Sequence, residues 1–214
     1  MSIGKIKWQS IVSQYAYPET WRSLWQVVNS VIPFFVLWYL AYRSLEIGYW
    51  LTLLITIPAA GFMVRMFIIF HDCCHGSFFK TPLANDRLGL LLGAAVWTPY
   101  FEWKHSHAIH HATAGDLDRR GVGDVYTMTV EEYLAAPWYK KVGYRIMRSP
   151  MILFTIGATI VFVLTHRFWT AKSGKRERNS VVWTNMALFA FVGWTIYHTG
   201  WQAYVLVELP ILLM

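Results

Sequence analysis

The chain has 214 residues, of which 56% are hydrophobic and only 14% charged, and its mean hydropathy is +0.35. A soluble domain carries about 25% charged residues, so the composition points to a membrane; the length suits one domain or a small pair, and a single domain over 1–214 is expected. The net charge of +7 does not indicate nucleic acid. The lysines and arginines fall in the connections between apolar runs, where cytoplasmic retention and anionic headgroups account for them.

Residues Met1 to Gln26 form a polar lead with Lys5, Lys7 and Arg22, in which Trp8, Trp21 and Trp25 suit an amphipathic segment at headgroup level. No small-residue cleavage pattern follows a short apolar core, so the first span is expected to stay. Spans are predicted over Val27 to Tyr42, Tyr49 to Phe70 and Val181 to Tyr197, each approaching the roughly 20 apolar residues a bilayer requires. The first two form a hairpin around "RSLEIG", which returns the chain at "HDCCHGSFFK".

"TPLANDR" (Thr81 to Arg87) has turn composition and leads into a short apolar run, Leu88 to Tyr100, interrupted at Pro99. From Ala112 to Ser149 the chain is polar. "TAGDLDRRGVGD" is expected as a loop and "TVEEYLAAPWYKKVGYRIMR" as an amphipathic helix, with Thr127 or Thr129 as its cap ahead of Glu131 and Glu132. Together these form a cytosolic cap lying on the membrane. Met151 to Leu164 follows Pro150 and is short for a span. Because Arg167, Lys172, Lys175, Arg176 and Arg178 crowd the loop after it, the positive-inside rule favours a segment that dips in and returns. The expected fold is all-α, a multi-pass transmembrane helical bundle with a cytosolic histidine-rich cap.

The histidines carry the chemistry. His71 and His75 are four apart, so on a helix continuing from the second span they stack one turn apart on one face. In "WKHSHAIHH", His107 faces both His110 and His111, and the consecutive pair fans out far enough to serve two neighbouring ions. Five imidazoles beside a membrane leave many polar nitrogens to satisfy, and a shared metal satisfies them. Softness does not choose among zinc, copper and iron. An H-E-x-x-H peptidase is disfavoured because no glutamate follows either histidine in that arrangement.

Asp72, Asp116, Asp118 and Asp124 could orient the imidazoles, the alternative being solvated loop charges. His166 and His198 read as satisfied packing residues, with His105 less clear. Cys73 and Cys74 are adjacent, so no ordinary disulfide joins them. They read as small buried hydrophobes, with thiolate ligation as the second reading.

"HDCCHGSFF", "AND" and "TPYFEWKHSHAIHHATAGDLDRRGVGDVYTMTVEEY" resemble the membrane fatty acid desaturase family, nearest to its bacterial and plant delta-12-type acyl-lipid members. The resemblance implies an integral membrane, multi-pass enzyme with its histidine boxes on the cytoplasmic side. Its cofactor would be two iron ions, and it would use dioxygen and two electrons to place a cis double bond in an acyl-lipid or other fatty acyl chain. A ferredoxin-like or cytochrome-like donor is implied, since no haem, iron–sulfur or dinucleotide motif occurs here. The basic face offers that donor a docking surface. By position His71 and His75 match the first box and His107, His110 and His111 the second, with His105 outside the H-x-x-H-H core. Cys74 stands where relatives commonly carry glycine.

The family's third box has no counterpart after His111, and the sequence stops inside the apolar run "VLVELPILLM". It therefore reads as an N-terminal portion whose ligand set for two irons is incomplete. A related alkyl or carotenoid hydroxylase and an inactive metal-binding fragment are the alternatives.

Overall fold

The computed structural model describes residues 8–13, 15, 17–121, 123 and 125–214; Lys5, Lys7, Asp124 and the Trp8 side chain lie outside the described part. A short helix α1 (Trp8–Ser13) precedes two long antiparallel helices, α2 (Thr20–Ser44) and α3 (Tyr49–Cys74), which run past the predicted spans at three of their four ends. Their contact face is small and polar. Ser30, Ala41, Thr52, Thr56 and Ala59 are fully buried, and small side chains let helix backbones approach closely where lipid gives no hydrophobic drive. Ser44 Oγ meets Thr52 Oγ1 at 2.8 Å across the hairpin.

α4 (Pro82–Ala95) corrects the turn expected at "TPLANDR". Thr81 Oγ1 accepts the Ala84 N–H, and Pro82 occupies the first helical position, where its missing N–H costs nothing. The residues with turn composition are therefore a helix start. Asn85 accepts the Phe79 N–H and donates to the Phe79 and Thr81 carbonyls, tying the loop after His75 onto α4. The apolar run from Leu88 breaks at Val96 to Pro99, where Trp97 takes a left-handed φ of 59°. α5 (Tyr100–Thr113) starts after Pro99 and carries the second histidine group.

The amphipathic helix expected over the cap is two helices, α6 (Val130–Ala135) and α7 (Trp138–Met147). Pro137 separates them because it has no N–H to continue the ladder. Of the two predicted caps Thr129 is the one used, in a reciprocal capping box with Glu132.

Next, Pro150–Arg167 runs as 18 residues of successive α, π, α and 3-10 turns, with a turn residue at Leu164, and is long and apolar enough to cross by length and composition, so the reversal expected of a dipping segment does not fall within it. The basic loop that follows does lie at the histidine end of the bundle. Arg176 binds Asp86 of α4, and Ser173 donates to Glu102 of α5. A helix over Lys175–Thr199 then leads away, and Trp201–Leu213 returns, its Glu208 accepting the Trp38 indole N–H of α2 at 2.8 Å. Among the described residues four helices, Thr20–Ser44, Tyr49–Cys74, Pro150–Arg167 and Lys175–Thr199, have membrane-crossing length and hydropathy. No strand occurs among the described residues.

Candidate metal centre

The last turn of α3 and the second half of α5 meet at one point. One ring nitrogen from each of His71, His75, His107 and His111 lies within 4.8 Å of the other three. His107 is the hub: its Nε2 is 3.1 Å from those of His71 and His75 and 3.0 Å from that of His111. The Nε2 atoms of His71 and His75 are 3.3 Å apart, a separation their four-residue spacing on one helix face permits.

This geometry fits a metal. Two nitrogens each about 2.1 Å from one ion stand roughly 3–4 Å apart, the range seen here. Three ring nitrogens surround His107 Nε2, yet a neutral imidazole offers a single N–H. Lone pairs are thus left facing one another, a cost that a shared cation removes. Burial, then the neighbouring imidazoles, push the His107 pKa down to about 4, so this ring is neutral near pH 7, the form that ligates. Asp72 Oδ1 lies 3.2 Å from His71 Nδ1. A proton held there fixes the tautomer that leaves Nε2 free to bind.

His110 is not one of the four. One residue on from His111 along the helix means a 100° rotation, and its ring stands 5.6 Å from that of His111 and 5.8 Å from that of His107. His105 is exposed on another side of α5. His166 bonds Thr98, and His198 packs on Trp194 and Tyr197, as packing residues do. Asp116 caps the turn at Asp118 and pairs with Arg119, the solvated-charge alternative. Cys73 and Cys74 are buried free thiols outside the cluster.

Sequence reasoning missed what lies directly beneath. Tyr100, Lys104, His107 and His111 are spaced four, three and four, a single face of α5. The lower pair meets Asp86: Lys104 Nζ and Tyr100 Oη lie 2.9 and 3.0 Å from Oδ1, and Arg176 donates to Oδ2 at 2.9 Å. Burial would raise the Asp86 pKa, but the hydrogen bonds from Lys104 and Tyr100 and the Lys104 and Arg176 charges together hold it below the usual value. Tyr100 is fully buried, and its Oη also lies 2.8 Å from the Cys73 carbonyl, between His71 and His75, so its single proton is shared between that carbonyl and Asp86.

An apolar cavity of about 330 Å³ lies below the cluster, lined by Met63, Phe67, Val96, Phe154, Phe162 and Leu212 among others. The Phe67 ring is 5.5 Å from Trp103, which stacks on His107 at 4.1 Å. One aromatic layer therefore separates the cavity from the imidazoles. A larger cavity, about 590 Å³, lies between α2, the end of α4 and the Lys175–Thr199 helix, and none of the four histidines lines it.

Long apolar helices carrying a four-histidine cluster that could hold a metal ion define a helical protein of membrane type. The fatty acid desaturase family model matches residues 48–214, and the chain belongs to the fatty acid desaturase family. It is 48% identical over 203 residues to a fatty acid desaturase of Bacillus subtilis, a match covering 95% of this chain and 58% of that one. An sn-1 acyl-lipid omega-3 desaturase (ferredoxin) of Synechocystis is 36% identical over 76 residues, 36% of this chain and 21% of its own. A delta(12) fatty acid desaturase of Calendula officinalis is 33% identical over 108 residues, 45% and 27% respectively. The chain thus spans less than three fifths of the Bacillus relative's length. No solved structure matches.

Proposed function

We propose that this chain supplies the first two histidine boxes of a multi-pass membrane acyl-lipid desaturase, with its metal centre on the cytoplasmic side. The reaction removes two hydrogens from adjacent methylenes of an acyl chain; with dioxygen, two donor electrons and two protons it yields a cis double bond and two waters. The observation that carries this reading is the convergence of His71, His75, His107 and His111 from two helices of a desaturase-family chain.

The side chains divide the work. The four imidazoles hold the metal, and Asp72 keeps the His71 proton on Nδ1. Bound iron would supply what no side chain can, reduction of dioxygen coupled to oxidation of an unactivated C–H bond. Four nitrogens suit one ion and a share in a second, so a pair of irons would call on His110 and on ligands beyond this chain. The apolar cavity under Phe67 would hold the acyl chain, and Trp103 and Phe67 would keep water from the reacting carbon. Electrons would come from a cytochrome-like donor or from a ferredoxin-like one, the latter appearing in the name of the Synechocystis relative. The basic loop at the histidine end offers such an acidic carrier a docking surface.

The test is iron content and membrane fatty acid composition on expression, with His107→Ala compared with His105→Ala. His107→Ala should lose iron and any new unsaturation, and His105→Ala should keep both. Products two hydrogens lighter mark desaturation, and products one oxygen heavier mark hydroxylation. Undiminished iron in His107→Ala would refute the metal assignment.

A further inference from the structure

The imidazole cluster exists only if α5 has the correct rotation and axial register against α3, because its four rings come in pairs from those two helices. A shift of one residue along α5 would turn its face by 100°. Trp103 packs on Phe67, Phe70 and His71 and stacks on His107; the polar anchors of the same α5 face lie one and two turns below, at Lys104 and Tyr100.

The geometry points to Asp86 as the positioning residue of this metal centre, its carboxylate locking α5 in the register at which His107 and His111 meet His71 and His75. The inference rests on reading the cluster as a metal centre. Asp86 is well placed for the task. Its side chain is 19% exposed, and its two oxygens take Lys104 and Tyr100 of α5 on one side and Arg176, in the first turn of the Lys175–Thr199 helix, on the other. Tyr100 carries the restraint to α3 through the Cys73 carbonyl.

Two features make this clamp stiff. The Tyr100 ring lies across α4 where Gly89 leaves room: a Cβ there would stand 2.0 Å from Tyr100 Cε2. Lys104 sits 5.3 Å from the Tyr100 ring centroid and donates to Asp86, so one face residue braces the next. On the far side of α5, Glu102 accepts from Ser173 Oγ at 2.8 Å and from the Thr170 N–H at 3.3 Å. The loop at Thr170 and Ser173 therefore holds one side of α5, and Arg176 of the following helix holds the other through Asp86.

The experiment uses the full chain in detergent with Co(II) as the metal probe, reading affinity and the visible ligand-field band. Asp86→Asn keeps the shape but removes the charge that gathers Lys104 and Arg176. It should weaken Co(II) binding by roughly 10- to 100-fold and change the band, whereas Arg43→Gln, which breaks an exposed pair with Glu46, should change neither. A purely structural residue would lower thermal stability and leave the affinity and band of the folded fraction intact; that result overturns the proposal. If Asp86→Asn does not fold, Tyr100→Phe and Lys104→Met test the two arms of the clamp separately, each expected to weaken binding and each, if without effect, counting against it.

A metal-free readout separates this inference from the metal reading. Spin labels at Ile68→Cys and Ala108→Cys, both exposed positions, report the α3–α5 distance. Asp86→Asn should broaden and shift that distribution. Wild-type protein that binds no Co(II) would end the metal reading, and an unchanged distance would end the positioning role whether or not cobalt binds.

Discussion

Gly89→Ala sets two opposing effects against each other. In an exposed helix the change should stabilise by about 1 kcal/mol, because alanine loses less backbone entropy. Here the new Cβ would stand 2.0, 2.4 and 2.6 Å from three carbons of the Tyr100 ring. Ordinary contact begins at 3.4 Å, so the ring must retreat by about 1.4 Å. It has nowhere to go: Tyr100 is fully buried, with Oη held at 2.8 Å from the Cys73 carbonyl and 3.0 Å from Asp86.

Overpacking costs about 1–3 kcal/mol, and loss of a buried hydrogen bond adds roughly 1 kcal/mol. After subtracting the propensity gain, Gly89→Ala should destabilise by about 1–3 kcal/mol. Gly143 in α7 is the control, since a Cβ added there would meet nothing within 4 Å; Gly143→Ala should stabilise by about 0.5–1 kcal/mol. Unfolding from mild detergent into SDS, followed by tryptophan fluorescence, measures both. A Gly89→Ala protein as stable as wild type would show that α4 and α5 are not packed around Tyr100 as described.

Glu208→Leu leaves the Trp38 indole N–H, and that of Trp97, without their acceptor; it should cost about 1–3 kcal/mol, with Glu208→Gln costing less because it still accepts, both read in the same SDS titration. Thr129→Ala removes half of the capping box on α6; about 1 kcal/mol of local stability should go, seen as faster amide exchange in α6 alone. Phe67→Ala opens the aromatic layer between the 330 Å³ cavity and Trp103; product analysis should show a changed distribution of double-bond positions or chain lengths, with iron content retained.

The helices are largely legible in the sequence because their signal is one of length and composition. Three of the four membrane-length helices stand out as apolar runs, and the structure extends them into flanks such as Thr20 to Gln26, which are less apolar and so invisible to a hydropathy reading. The fourth, Pro150–Arg167, looks too short for a span because its last turn spends residues on His166 and Arg167. Arg167 is tolerated there because it is met by the Trp97 carbonyl and by Asn185, partners no local pattern reveals. Punctuation residues mislead in both directions: Pro82 begins a helix within a stretch of turn composition, and Pro137 divides in two a stretch with the pattern of one helix. Proline fixes φ and removes a donor, and whether that opens or ends a helix depends on the hydrogen bonds available before it.

The site shows where spacing stops being informative. His71 and His75 are four apart on a helix, which puts them on one face, where their nitrogens stand 3.3 Å apart. Within "HAIHH" the same rule gives His107 two candidate partners, at three and four residues. The choice between them depends on where α3 lies, which is a tertiary fact. Tyr100, Lys104, His107 and His111 settle it by falling on one face: the lower two residues are anchored to Asp86 and Cys73, so the upper two must point towards the same wall, where His71 and His75 wait. His110, 100° around, is turned away from that wall and packs beside Gly123. Following the face downward from the histidines to the tyrosine and lysine, instead of looking only for more histidines, places His111 beside His107 in the cluster and calls for an acid to meet Lys104. Asp86, eighteen residues before that lysine, is the acid it meets.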